Sequence, residues 1–294
     1  WNAIRPIPLT SDEVLDYTKK DSIETIRESK KYLDSIDAKK NKFKIMNVLS
    51  GYTYKNTFGK FSFRYNGLVD LSSLTFNTVQ GISLSSGFSF SKWNDETGKR
   101  TNIQTTFNYG FSDERLRVSA EYKHLFNNQN YANLVVTGGI KVNQFNDNEP
   151  IKSFINDISS TFFKDNYMKL YNKEFLGIQY SQDIANGVNL KGKIEYSQRK
   201  PLFNTSDYTF IRSDKSYTSN NPLAPNDYVN PGFETHHLTI FNLSAKINFG
   251  NKVISRPDGK YNIKNNNYPT LFLNYEKAFA AYDNIYEFNK VETK

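Results

Sequence analysis

The sequence predicts an all-β fold: a partial antiparallel transmembrane β-barrel preceded by an N-terminal amphipathic helix. Three observations predict it. Long segments alternate apolar and polar residues with a period of two, the signature of strands with one apolar and one polar face. Aromatics make up 15% of the 294 residues, with 23 Phe and 20 Tyr, yet the mean hydropathy is -0.66. A barrel in lipid shows this mixture, because half of each strand faces an aqueous lumen. Third, aromatic residues recur at strand termini, where a membrane-interface girdle belongs.

The stretch 76–109 sets the pattern. In its first arm Ile82, Leu84, Phe88 and Phe90 share one parity, and Ser83, Ser85, Gly87, Ser89 and Ser91 share the other. Ser86 is the polar intruder on the apolar side. In the second arm Ile103, Phe107 and Tyr109 alternate with Asn102, Gln104, Thr106 and Asn108. Leu84, Phe88, Phe90, Ile103 and Phe107 are expected to face lipid, and Ser85, Ser89, Gln104 and Asn108 the lumen.

Ahead of this hairpin, residues 1–10 are expected to be extended, because Pro6 and Pro8 bias their predecessors away from helix. A helix follows over 11–38, opened by a Thr10–Glu13 capping box and breaking near Asp21-Ser22. Val14, Leu15, Ile23, Ile26, Leu33 and Ile36 recur at helical spacing. Residues 1–41 form the N-terminal unit, read as periplasmic, and 42–294 the barrel strands.

From residue 43 on, strands are expected over 45–54, 60–65, 81–93, 101–109, 115–123 and 133–142. They continue over 175–182, 188–197, 239–249 and 270–276, with another beginning at 286–288. Several are separated by polar turns such as 94–100, 112–114 and Asn186-Gly187. Strands 81–93 and 239–249 are longer than the usual ~5–6 residues of soluble proteins and suit a tilted membrane span. Two long intervals, 143–174 and 199–236, interrupt the series, the first with a short helix within 151–171. With every strand spanning, both intervals fall at the end that carries residues 1–41, or else a strand within 67–76 is uncounted.

The later strands carry charge on their polar parity. Arg115, Arg117, Lys123, Lys191, Lys193 and Lys246 are expected to face the lumen, with Glu121 and Glu195 among them. Leu243 and Ile247 join the lipid-facing set. Trp93, Tyr109, Tyr122 and Tyr196 are the expected girdle.

Chemistry-bearing motifs are missing. There is no G-x-S-x-G, P-loop, G-x-G-x-x-G or H-E-x-x-H. Cysteine is absent, which removes disulfides and thiolate metal sites. His236 and His237 are adjacent, so in an extended chain they point to opposite faces and do not share one ion. No catalytic, cofactor or metal residue is expected. The net charge of +8 is spread along the chain without a basic cluster, so nucleic acid is not an expected partner. Trp1-Asn2-Ala3-Ile4-Arg5 lacks the regions of a signal peptide, and the chain reads as an internal fragment with further strands beyond its C-terminus.

RPIPLT at 5–10, FNTVQG at 76–81, NYMKLYNKEF at 166–175, ANGVNL, SDYTF and YPTLFLNYEKAF at 268–279 resemble an uncharacterised family of Bacteroidota outer-membrane barrels. The resemblance implies a carboxypeptidase-regulatory-like domain upstream and carries over no catalytic residue. The expected function is non-enzymatic, in transport across or assembly of the outer membrane. The alternatives are a structural or interaction subunit with a filled lumen, and a barrel enzyme acting on lipid or surface polymer. Outer-membrane lipid is the expected partner, with other outer-membrane or periplasmic proteins beside it.

Overall fold

The computed structural model describes residues 8–68, 73–146, 151–211, 214–256, 259–263, 267–280 and 286–294. The first seven residues of the expected extended segment lie outside them. Helix α1 (Ser11–Glu28) starts with the expected box: Glu13 N–H donates to Thr10 Oγ1 at 3.3 Å and Thr10 N–H to Glu13 Oε2 at 2.8 Å. The break falls at Ser29 rather than at Asp21-Ser22. Ser22 stays helical, its hydroxyl donating to the Thr18 carbonyl one turn back. Ser29 is extended and caps α2 (Lys30–Lys40). No α1 residue is buried.

The expected strand over 45–54 is part helix. Asn47 accepts from Lys44 N–H and donates to the Gly51 carbonyl, closing the short turn α3 (Asn47–Ser50). Strand β1 (Tyr52–Asn56) begins only after Gly51, whose φ of 89° ends the turn. Asp37 ties α2 to the far end of β1, accepting from Thr57 N–H at 2.6 Å and from its hydroxyl at 2.8 Å.

Strands β2 (Phe61–Tyr65) and β3 (Leu74–Asn77) lie end to end along one side of β4 (Gly81–Trp93). Because β3 continues the direction of β2, the extra strand within 67–76 does not change which end later loops occupy. The sheet continues antiparallel through β5 (Arg100–Gly110), β6 (Arg115–Leu125), β7 (Asn133–Gln144), β8 (Leu170–Ala185), β9 (Val188–Pro201) and β10 (His236–Asn248). A separate hairpin, β11 (Lys252–Arg256) with β12 (Gly259–Ile263), precedes β13 (Thr270–Ala280) and β14 (Phe288–Thr293). Among the described residues β1 and β14 end the strand order, and β3, off that path, pairs with a strand on one side only.

One end of the sheet carries the β3–β4 turn, helix α4 (Ser153–Phe163) and the long segment 202–235; we call it the capped end. Both long intervals are therefore on one side. At the opposite end the β11–β12 hairpin folds back onto the β6–β7 connection, where Lys260 N–H donates to the Asn128 carbonyl.

The burial pattern is inverted relative to a water-soluble protein. Among the described residues only nine apolar side chains are buried, against twenty polar or charged ones. A soluble chain with this much sheet has its apolar residues inside. The apolar cluster that does form joins Val79, Met168 and Leu170, with Val142, Ile151 and Leu202 against it, all near the capped end.

Candidate functional site

Strand register sorts the side chains onto two faces. Leu84 pairs with Tyr109, Ser86 with Phe107, Phe88 with Thr105 and Phe90 with Ile103, all on one side. Ser85 pairs with Asn108 and Ser89 with Gln104 on the other, and Asn108 Nδ2 donates to Ser85 Oγ at 3.0 Å. Arg115, Arg117 and Lys123 share the polar side through their pairing with Gly110, Asn108 and Asn102. Farther along, Lys191, Lys193 and Lys246 pair with Ser244, Asn242 and Asn189, while Leu243 and Ile247 pair with Gly192 and Val188 on the apolar side. On that apolar side Ile82, Phe88, Ile103, Leu176, Ile178, Ile194 and Leu243 are all exposed.

The polar side is concave. A hollow of about 320 Å³ touches Gln104, Ser119, Glu121, Thr137, Phe175 and Glu195, from five consecutive strands. A second, of about 310 Å³, reaches from Thr75 and Ser83 to Met168 and Leu170. Side chains from β3 and β8 meet round one space only if the sheet between them curls.

Two of the predicted lumenal cations, Lys193 and Arg117, are held by carboxylates. Lys193 Nζ lies 2.9 Å from Glu195, whose other carboxylate oxygen is paired with Lys173. Lys173 also lies over the Phe175 ring, as does Lys141. Arg117 is buried and paired with Asp113 at 2.6 Å, and its Nε donates to Asn172 Oδ1 at 2.9 Å.

That last contact follows from a kink. Pairing of β6 with β7 stops at Ser119–Gly139, and Gly139 has a φ of 131°. A Cβ there would sit 2.2 Å from the Val118 carbonyl oxygen, so only glycine fits. Beyond it the ends of β7 and β8 turn in from the wall. Leu170, Tyr171, Asn172 and Lys173 are consequently buried in succession, without alternation. Asn172 meets Arg117 on one side, and Tyr171 packs edge-on to Phe145 and Phe233 on the other.

The FNTVQG stretch forms the centre of the cap. Asn77 Oδ1 accepts from the N–H groups of Val79 and Gln80, closing the β3–β4 turn. Thr78 and Val79 are 1% exposed. Thr78 Oγ1 donates to Asn204 and accepts from Asn166 Nδ2, and its carbonyl accepts from the N–H of Thr205 and Ser206. The segment between α4 and β8 and the segment after β9 thus both close on this turn.

A family model described as the C-terminal domain of a family of unknown function, DUF5686, matches residues 46–294. The chain belongs to the DUF5686 family. No curated protein and no solved structure matches it.

Two ionisable groups anchor the cap of this DUF5686 chain. Lys169, just before β8, donates to Thr218 Oγ1 and the Ser219 carbonyl, and burial pulls its ammonium down to about 8. The Tyr217 hydroxyl lies 2.7 Å from the carbonyls of Ser160 and Tyr208. Burial, helped by the charge of Asp207, pushes that phenol up to about 12.

The histidines of the DUF5686 chain are separate, and no cluster of three His, Cys, Asp or Glu suited to a metal occurs among the described residues. His236 stacks on Tyr286 at 3.7 Å, while His237 stacks on Tyr196, on the opposite side of β10. Of the expected girdle, Trp93 lies under Lys55 and Tyr122 stacks on His124 toward the far end; Tyr109 packs on Phe111 near the capped end. Sequence reasoning passed over Asp113, Lys141, Asn172 and Lys173. The first lies in a turn, and the last two fall where alternation is lost.

Proposed function

We propose that this chain is part of a transmembrane β-barrel in the outer membrane of a Bacteroidota bacterium, downstream of a carboxypeptidase-regulatory-like domain. Its role is non-enzymatic, in transport across or assembly of that membrane. The observation that carries the reading is the inversion of burial along strands of 11–16 residues: exposed apolar side chains on one face, hydrogen-bonded polar ones on the other. In water a continuous apolar face of this extent is unfavourable at about 25 cal/mol per Å². In lipid it is the favourable arrangement, and the antiparallel ladder satisfies the backbone groups that hydrocarbon cannot. Among the described residues no helix is long and apolar enough to cross a membrane, and in this reading the strands are the spanning elements.

Extraction tests the membrane assignment: the full-length protein should require detergent, and solubility without it would overturn the reading. Conductance in planar bilayers then tests transport. The packed cap, with Thr78 and Val79 sealed by the segments before β8 and after β9, favours a second reading, a subunit whose lumen is filled. A silent bilayer together with a stable copurifying complex would select it.

A further inference from the structure

Helix α4 is amphipathic in the reverse sense. Asn156 and Ser160 are fully buried, Thr161 is 9% exposed and Asp157 is half-buried, forming one polar stripe at helical spacing. Phe154, Ile155, Ile158, Phe162 and Phe163, between 38% and 62% exposed, dominate the rest of the surface, with Ser153 and Ser159 beside them. Between Ser153 and Phe163 the only charged residue is Asp157, and it is turned inward.

The polar stripe has a definite task. β3 pairs with β4 on one edge and presents the other to α4. Phe76 N–H donates to Asp157 Oδ1 at 3.0 Å, and Asn156 Nδ2 donates to the Phe76 carbonyl at 3.4 Å. Two side chains of the helix thus replace the ladder bonds of a missing strand. Asn156 Oδ1 also accepts from Met168 N–H at 3.1 Å, which stops the helix from rolling its apolar side inward. An open strand edge can face water without such help; in hydrocarbon each unsatisfied backbone group costs several kcal/mol.

The outward surface is also continuous with the apolar face of the sheet. Phe76, whose side chain lies on that face beside Ile82, contacts Tyr208 at 6.1 Å between ring centroids. Tyr208 contacts Phe210 at 5.2 Å, and Phe210 contacts Phe162 at 5.5 Å. The aromatic path runs from the strand wall to the exposed side of α4 without a charged residue in it.

We infer that α4 is a lipid-contacting helix set into the barrel wall beside β3, its polar stripe sealing the strand edge and its Phe and Ile side chains meeting acyl chains. This rests on the membrane-barrel reading above. An interfacial helix ordinarily turns a basic polar face to headgroups and water; here the polar face is spent on the strand edge, so the surroundings of α4 are apolar throughout.

These 294 residues contain no cysteine, so once any cysteine elsewhere in the full-length protein is replaced by serine, each introduced cysteine is the single labelling site. The test attaches a nitroxide at Phe154→Cys and at Phe162→Cys in the full-length protein in liposomes, with Phe88→Cys as apolar-face reference and Gln104→Cys as polar-face reference. Collision rates with oxygen, which concentrates in lipid, and with a water-soluble nickel chelate are compared. Both helix labels should match Phe88→Cys, with high oxygen and low nickel accessibility. Helix labels that follow Gln104→Cys, while Phe88→Cys remains in lipid, overturn the inference and leave the barrel standing. Shielding from both probes also overturns it, by showing a protein cover over α4. A Phe88→Cys label open to nickel would sink the barrel reading itself and the inference with it.

Discussion

Arg117 Nε donates to Asn172 Oδ1 at 2.9 Å, joining β6 to β8 at a level where β7 has already left the wall. Both residues are buried, and the guanidinium also holds Asp113. The contact bridges β6 and β8 beyond the Ser119–Gly139 pair, where β6–β7 pairing ends.

Arg117→Ala removes the partner of a buried carboxylate. The expected cost is about 3–5 kcal/mol, the range for breaking one side of a buried pair. Arg117→Met combined with Asp113→Leu should lose much less, since no charge is then stranded. Urea unfolding of the detergent-solubilised protein measures both.

Gly139→Ala should destabilise clearly, because a Cβ would meet the Val118 carbonyl at 2.2 Å in a left-handed backbone. Gly138→Ala is the control. Its nearest neighbours are 3.3 Å away, one of them the flexible Leu176 side chain. The same unfolding assay should show a lower midpoint for Gly139→Ala and a small change for Gly138→Ala.

Asn156→Leu leaves the Met168 N–H and the Phe76 carbonyl without their side-chain partners. Each buried group so exposed costs about 1–3 kcal/mol. Hydrogen exchange should speed up at the Met168 amide first, with exchange in β10 unchanged. Equal acceleration everywhere would refute a local seal.

The pH dependence centres on Lys169. Its folded value, about 8, lies below the 10.5 of the free side chain. Between those values the unfolded chain binds more protons, so stability rises as pH climbs from about 8 to about 10.5. Below about 8 both states are protonated and the burial cost is fully present. Lys169→Met should flatten this window, read from the unfolding midpoint across it.

How much was legible follows from locality. Strand 81–93 was readable to the residue, because Ser and Gly alternate there with Ile, Leu and Phe. The capping box at Thr10 was equally local. The strand expected over 175–182 starts at Leu170 instead. Residues 170–173 are covered on both sides, and a strand buried twice has no alternation to read. The strand expected over 45–54 failed for a different reason: the Asn47 side chain closes a turn that periodicity does not register.

The site divides the same way. Arg117, Lys193 and Glu195 belonged visibly to the polar parity, yet parity does not reveal that Lys173 shares the Glu195 carboxylate or that Asp113 neutralises Arg117. FNTVQG stood out as a motif, but its neighbours in sequence gave no sign that Thr78 would be sealed by Asn166 and Asn204. The α4 segment showed a helix without showing which side faced the protein.

By itself, the sequence determined which residues share a strand and which share a face, because both follow from φ, ψ and the two-residue pleat. Only the tertiary structure decided that Gly139 releases β7 from β6, that the strand ends fold over the hollow, and that α4 turns Asn156 and Asp157 inward to Phe76. Those outcomes depend on groups far apart in sequence, from the 21 positions between Val118 and Gly139 to the 126 between Thr78 and Asn204, meeting across a curved sheet, and curvature accumulates over many strands rather than being written in any one of them.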